Sequence, residues 1–306
     1  MLGEIISILV AVFWASSALF FTYAGKKLSA MNLNLIRLAF AFVMIGAVLY
    51  VMQGSFLPVG ASLKSWTWLC ISGFIGFVFG DYFMFRSYQL ISPRITQLIM
   101  TLGPAFAALG GYLILGETLS ANVALGMIVT LTGIAISVLK KGGEGQKGFH
   151  TELPLKGLVF AFFAAVGQGV GLVFSKQGLL YYNSEFTASS SLYTSIAGTQ
   201  IRIICGVVFF LLIIALKRDW GTLINSFKEK KHIAASFGGA VVGPFIGVSL
   251  ALMALQHTST AIASTLFALV PIILIIPDKF LYKRKVAPLE ILGAFVSVIG
   301  VALFFI

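Results

Sequence analysis

Residues 73–117 read GFIGFVFGDYFMFRSYQLISPRITQLIMTLGPAFAALGGYLILGE, and residues 240–284 read AVVGPFIGVSLALMALQHTSTAIASTLFALVPIILIIPDKFLYKR. Placed against each other at a constant offset of 167, and continued without a gap to 139 and 306, they coincide where apolar similarity alone would not align them. Gly76 and Gly80 fall on Gly243 and Gly247, Gln89 and Ser92 on Gln256 and Ser259, Ile95 on Ile262, and Pro104 on Pro271. Leu125-Gly126 then meets Leu292-Gly293, and Gly133 meets Gly300. The front parts match less closely, with Arg37 on Arg202 at an offset of 165 and Ala11-Val12 on Ala165-Val166 at 154. The chain is read as an internal duplication.

Both copies are too apolar for water. Hydrophobic residues make up 59% of the 306 and charged residues 10%, and the mean hydropathy is +1.01. So few charges cannot cover a soluble surface of this size. Ten apolar runs stand out, at 3–24, 31–52, 66–90, 95–115, 121–139, 156–179, 193–216, 233–255, 261–281 and 289–306. Each is close to the roughly 20 helical residues that cross a bilayer core, and continuous runs do not alternate as barrel strands must. The first run is too long for the apolar region of a cleaved signal peptide, so it is expected to remain as a helix. Cys70 and Cys205 both lie inside apolar runs, so neither a disulfide framework nor a thiol metal site is expected.

Five spans per copy, an odd number, oblige the second copy to enter the membrane from the opposite side. The basic residues agree. Successive odd-numbered connectors hold Lys26 and Lys27; Arg94; Lys140, Lys141, Lys147 and Lys156; Lys217, Arg218, Lys228, Lys230 and Lys231; and Lys283, Arg284 and Lys285. The even connectors hold only Lys64. Basic connectors stay in the cytoplasm, which places both termini outside and makes a plasma (inner) membrane the expected location. The net charge of +11 therefore sets orientation and does not point to nucleic acid. The expected fold is all-α and integral to the membrane: ten transmembrane helices as two inverted five-helix repeats, 1–140 and 156–306, around a central cavity, with a polar cytoplasmic connector at 141–155.

Charges at membrane depth are the first candidates for function, since each costs about 2.5–3.5 kcal/mol to insert. Asp81 lies roughly 13 Å from the inner end of the third span, and Arg37 roughly 9 Å from that of the second, at the helical rise. They are close enough to pair, as a structural ion pair or as a site that takes up a proton during transport. Arg202 repeats Arg37, but Asp81 aligns with Val248, so Arg202 is expected to cap backbone carbonyls or to face the cavity. Arg86, Lys176 and Lys279 lie near span ends and should snorkel, Asp278 beside Lys279 reads as an interfacial pair, and Glu117 reads as a helix-terminus and interface residue and not as a coupling site. Among uncharged groups, Trp14, Ser16, Ser17 and Gln168 occupy corresponding regions of the first and sixth spans. Gln97 and Thr101 precede Pro104, and Ser264 and Thr265 precede Pro271. A mid-span proline frees a carbonyl and bends the helix, and interrupted helices line midplane sites in transporters. The repeated Gly-x-x-x-Gly reads as close helix packing.

Paired five-helix halves, a proline inside the fourth helix of each, and the segment Leu102–Gly133 with Pro104, Leu115-Gly116-Glu117-Thr118-Leu119, Gly126 and Gly133 resemble the EamA-like branch of the drug/metabolite transporter superfamily. Members often carry Gly-Glu in both halves, whereas the second copy here reads Lys283-Arg284. The resemblance implies a secondary active transporter, and an exporter, of small metabolites or amphiphilic compounds, working by alternating access with a substrate cavity between the halves. Its partners would be the small-molecule substrate and membrane lipid, with proton coupling through Asp81 as a candidate; no cofactor or metal is expected. The residues themselves exclude less. No enzyme motif is present, and His150, His232 and His257 are scattered. No selectivity loop marks a channel. A lipid or lipid-linked sugar flippase could use the same architecture.

Overall fold

The computed structural model describes residues 1–91, 93–138, 154–186, 190–275, 277 and 288–305. The connector at 140–153, Asp278, Lys279 and Lys283–Lys285 lie outside the described residues. Among those described, the chain is helical. Seven helices are long and apolar enough to cross a membrane, and three shorter ones are apolar.

Helix α1 spans Leu2–Ala24, α2 Ala30–Gln53 and α3 Leu63–Leu90. Helix α4 comes in two pieces, Pro93–Met100 and Gly103–Gly110, and α5 spans Ala121–Val138. In the second half, α6 spans Leu155–Glu185, α7 Ser191–Lys217 and α8 Lys230–His257, with a short helix Trp220–Ser226 before α8. Helix α9 again comes in pieces, Thr260–Phe267 and Val270–Ile273, and α10 spans Pro288–Ala302. Serine caps start several helices: Ser29, Ser62, Ser190 and Ser259 each accept a backbone N–H at the start of α2, α3, α7 and α9. Large apolar side chains such as Val43, Leu113, Val208 and Ile291 are exposed on the outer faces, as hydrocarbon solvent permits.

The duplication is visible in local backbone geometry. Helix α3 passes through a π turn at Phe74–Gly80 and α8 through one at Val241–Gly247, the same positions at the 167-residue offset. Each closes with a bond five residues back, from Asp81 N–H to Gly76 O and from Val248 N–H to Gly243 O. Helices α4 and α9 break at Thr101–Leu102 and Ala268–Leu269, again equivalent, just ahead of Pro104 and Pro271. Each proline opens the second piece of its helix, where a missing N–H matters least.

Glycines let helices meet backbone to backbone. A Cβ on Gly167 of α6 would come within 2.7 Å of Gly80 Cα in α3, and one on Gly247 of α8 within 2.7 Å of the Trp14 ring in α1. Helices α5 and α10 pair in the same manner: a Cβ on Gly133 would meet Ser297 N at 2.4 Å, and Ser297 Oγ donates to Thr130 O at 3.1 Å.

The expectation for the cysteines is corrected. Cys70 of α3 and Cys205 of α7 form a disulfide with Cα atoms 5.4 Å apart. Placement inside apolar runs argues against a disulfide framework, but the two helices pack together and bring the sulfurs into bonding range across 135 residues of sequence.

Candidate functional site

A cavity of about 150 Å³ lies between the two halves, bounded by α1, α2, α3, α4, α6, α8 and α9. Its walls are mostly apolar, with Trp14, Phe21, Phe85 and Phe267 prominent. Trp14 packs on Phe267 at 5.0 Å between ring centroids, and it stands against Gly247 where Gln168 stands against Gly80. Trp14 and Gln168 thus hold equivalent places in the two halves.

The polar centre is Asp81, set as the first residue past the π turn of α3 and only 5% exposed. Arg37 Nη2 donates to Asp81 Oδ2, and Gln168 Nε2 donates to Oδ1 at 2.6 Å. Arg37 is itself oriented: its Nε donates to Asn34 Oδ1 at 2.9 Å, and its guanidinium lies 5.3 Å from both the Phe21 and Phe85 rings. Two carboxylate oxygens with charged or amide donors, and a cation held among aromatic faces, satisfy a buried pair that would otherwise be expensive in a bilayer.

Of the residues singled out from sequence, Trp14, Ser17, Arg37, Asp81, Gln97, Thr101, Pro104, Gln168 and Ser264 line this one cavity. Gln97 Nε2 donates to the Tyr88 hydroxyl, while Thr101 bonds back to Leu98 O at 2.6 Å and Ser17 to Trp14 O at 2.9 Å. Ser16 bonds back along its own helix to Val12 O. Thr265 does the same with Ala261 O, and neither it nor Pro271 reaches the lining. Pro244, inside the π turn of α8, does line it and carried no signal in the sequence beyond its identity.

Arg202 departs from both expectations. Among the described residues it neither caps carbonyls nor lines the cavity; its guanidinium lies over Phe77 at 4.6 Å, and its Nε has no hydrogen-bond partner there. Lys176 does not snorkel. Helix α6 runs on to Glu185, so the lysine is well inside it, and its Nζ lies 2.7 Å from Glu117 Oε1 and 2.6 Å from Thr258 O. Arg86 reaches along its own helix, to Gln89 Oε1 at 2.9 Å.

Lys176 belongs to a second polar group, at the other end of the bundle. Gly116, at φ +67°, ends α4 in the left-handed region where glycine is at ease, and turns Glu117 toward α9. Thr260 then donates to Glu117 Oε2 through both its N–H, at 2.9 Å, and its hydroxyl, at 2.6 Å. Thr258 completes the group with a bond to Glu4 Oε1 at 2.7 Å. Glu117 thus ties α4 of the first half to α6 and α9 of the second.

The two polar groups mark opposite ends. The cavity lining runs along α1 to Phe21 and along α3 to Tyr88, toward the connectors that hold Lys26, Lys27 and Arg94. The Glu117 group sits where α4 and α8 finish and α1 begins.

A crystal structure of a protein 17% identical superposes on this chain with a TM-score of 0.69, covering 99% of this chain and 96% of the other, which is a likeness of fold. No curated protein matches the chain. The model of the EamA-like transporter family matches residues 1–139 and again 155–306, so both halves carry it. With nearly the whole chain matched, the protein belongs to the EamA-like transporter family, a family of membrane transporters.

Proposed function

We propose that this protein is a secondary active transporter that exports small metabolites by alternating access. It would have ten spans in two inverted five-helix repeats, 1–140 and 156–306, joined by the connector 141–155, with both termini outside the plasma membrane. The observation that carries the reading is the pairing of one cavity between the halves with one closure at its far end. The cavity approaches the basic connectors, which by the positive-inside rule face the cytoplasm, and the Glu117–Lys176–Thr260 group joins the halves at the other face. Such an arrangement suits loading from the cytoplasm and release outside once the closure parts. A volume near 150 Å³ suits a ring-sized solute better than a lipid headgroup with its chains.

Asp81 is the candidate for coupling. Separation from Arg37 during the switch would leave the carboxylate without its counter-charge, and a proton could take the place of the guanidinium. The test is counterflow in proteoliposomes: a pool of small metabolites trapped inside should drive accumulation of the same labelled solute, and Lys176→Met should alter the exchange rate. Movement of labelled phospholipid between leaflets without any solute counterflow would replace this reading with that of a flippase.

A further inference from the structure

Arg202 is the buried charge that the reading above leaves unused. Helix α7 carries it into the apolar interior, where it is 5% exposed. Its Nη2 would stand 3.0 Å from a Cβ on Gly76, so the glycine is what admits it. Its Nε has no hydrogen-bond partner among the described residues, and it rests on the ring of Phe77. The same ring receives Arg37 at 5.9 Å and lines the cavity.

The charges around that ring do not balance. Arg37 is matched by Asp81. Arg202 makes no ion pair among the described residues, although it feels the charge of Asp81; since Asp81 is the acid among the described cavity-lining residues, two guanidiniums share one carboxylate. An aromatic face offsets only part of the cost of a buried guanidinium. In a water-poor interior, a charge one ring-width behind a cavity wall is felt inside the cavity.

We propose that the cavity takes a small organic monoanion, a carboxylate on a ring-sized apolar body, and that Arg202 supplies the balancing positive charge from behind Phe77. A cation would have to displace Arg37 from Asp81, whose oxygens already hold Arg37 and Gln168. A dianion would exceed the single uncompensated charge. Arg202 is here a positioning residue, acting on the anion through its field. The inference rests on the cavity being the substrate site of the transporter proposed above.

A structural role and this one differ in a measurable way. A charge kept for packing destabilises the protein when removed, whereas one kept for a ligand should leave the empty protein as stable or more so. The probes are benzoate, benzamide and benzylammonium, which share a body and differ in charge. They are titrated into the purified full chain and into Arg202→Gln and Arg202→Lys. Expected is benzoate binding at least tenfold tighter than the other two, a tenfold or greater loss in Arg202→Gln that brings it to the level of benzamide, and a preference retained in Arg202→Lys. The ligand-free melting temperature of Arg202→Gln should be no lower than that of the wild type. No benzoate binding at millimolar concentration, a preference for benzylammonium, or an unchanged preference in Arg202→Gln overturns the inference. Benzoate that binds through Arg202 but is not carried by proteoliposomes would leave the site standing and sink the transport reading. A carried solute with no preference for anions would do the reverse.

Discussion

Lys176 Nζ lies 2.7 Å from Glu117 Oε1, and this ion pair joins the second half of the chain to the first at the end of the bundle opposite the Arg37–Asp81 pair. Neither side chain is more than 17% exposed, so the contact is only lightly screened by solvent. The Arg37–Asp81 pair lines the cavity and the Lys176–Glu117 pair joins the halves at the far end, which makes the second the place to test the proposed closure without touching the lining.

Lys176→Met should weaken that closure by about 1–3 kcal/mol, the range for hydrogen bonds to charged groups with modest exposure. Ala107 is fully buried beside it, and its carbonyl accepts the Thr260 hydroxyl at 3.2 Å. A cysteine at 107 should react with a membrane-impermeant maleimide faster in Lys176→Met than in the parent. Equal rates would mean that the group is not a closure.

Asp81→Asn leaves the Arg37 guanidinium buried with its charge uncompensated, a loss of about 3–5 kcal/mol for comparable pairs. Thermal unfolding should show the single variants Asp81→Asn and Arg37→Gln less stable than expected from their separate contacts, with the double variant recovering part of the loss. Transport separates structure from coupling: an Asp81→Asn protein that still concentrates substrate under a proton-motive force would remove Asp81 from the coupling step.

Gly167→Val should disrupt the α3–α6 crossing, because even a Cβ there meets Gly80 Cα at 2.7 Å and backbone cannot step aside. Gly221→Ala, where a Cβ meets nothing within 4 Å, should leave folding unchanged. Yield of monodisperse protein and melting temperature compare the two directly.

Both termini should be extracytoplasmic. A C-terminal reporter that fluoresces only in the cytoplasm is expected to stay dark, and a bright one would invert the orientation read from the basic connectors.

The helices were legible because hydropathy and breaker residues are local signals: the run predicted at 31–52 is Ala30–Gln53, and the breaks in α4 and α9 fall beside the prolines that announced them. The repeated glycines predict close packing, and Gly80 and Gly247 do meet Gly167 and Trp14. What stayed hidden depends on partners distant in sequence. Lys176 looked like a span-end residue because hydropathy fades near 179, yet the helix continues to Glu185 and its partner is 59 residues away. The Cys70–Cys205 bridge needed the packing of α3 on α7, and Arg202 needed the ring of Phe77. The π turns left no mark in the sequence, since glycine pairs serve ordinary α-helices equally well.

Those π turns have a mechanical consequence. A π turn holds one residue more than the α-helix around it, so passing that residue along turns the residues it travels past by about 100° and shifts them by about 1.5 Å. Asp81 and Val248 are the first residues beyond the two turns. The same crank motion in α3 would carry a carboxylate off its guanidinium, while in α8 it would move only a valine. Two halves with matching gears are thus loaded unequally, and under the proposed alternating access a motion symmetric in shape would be one-sided in charge.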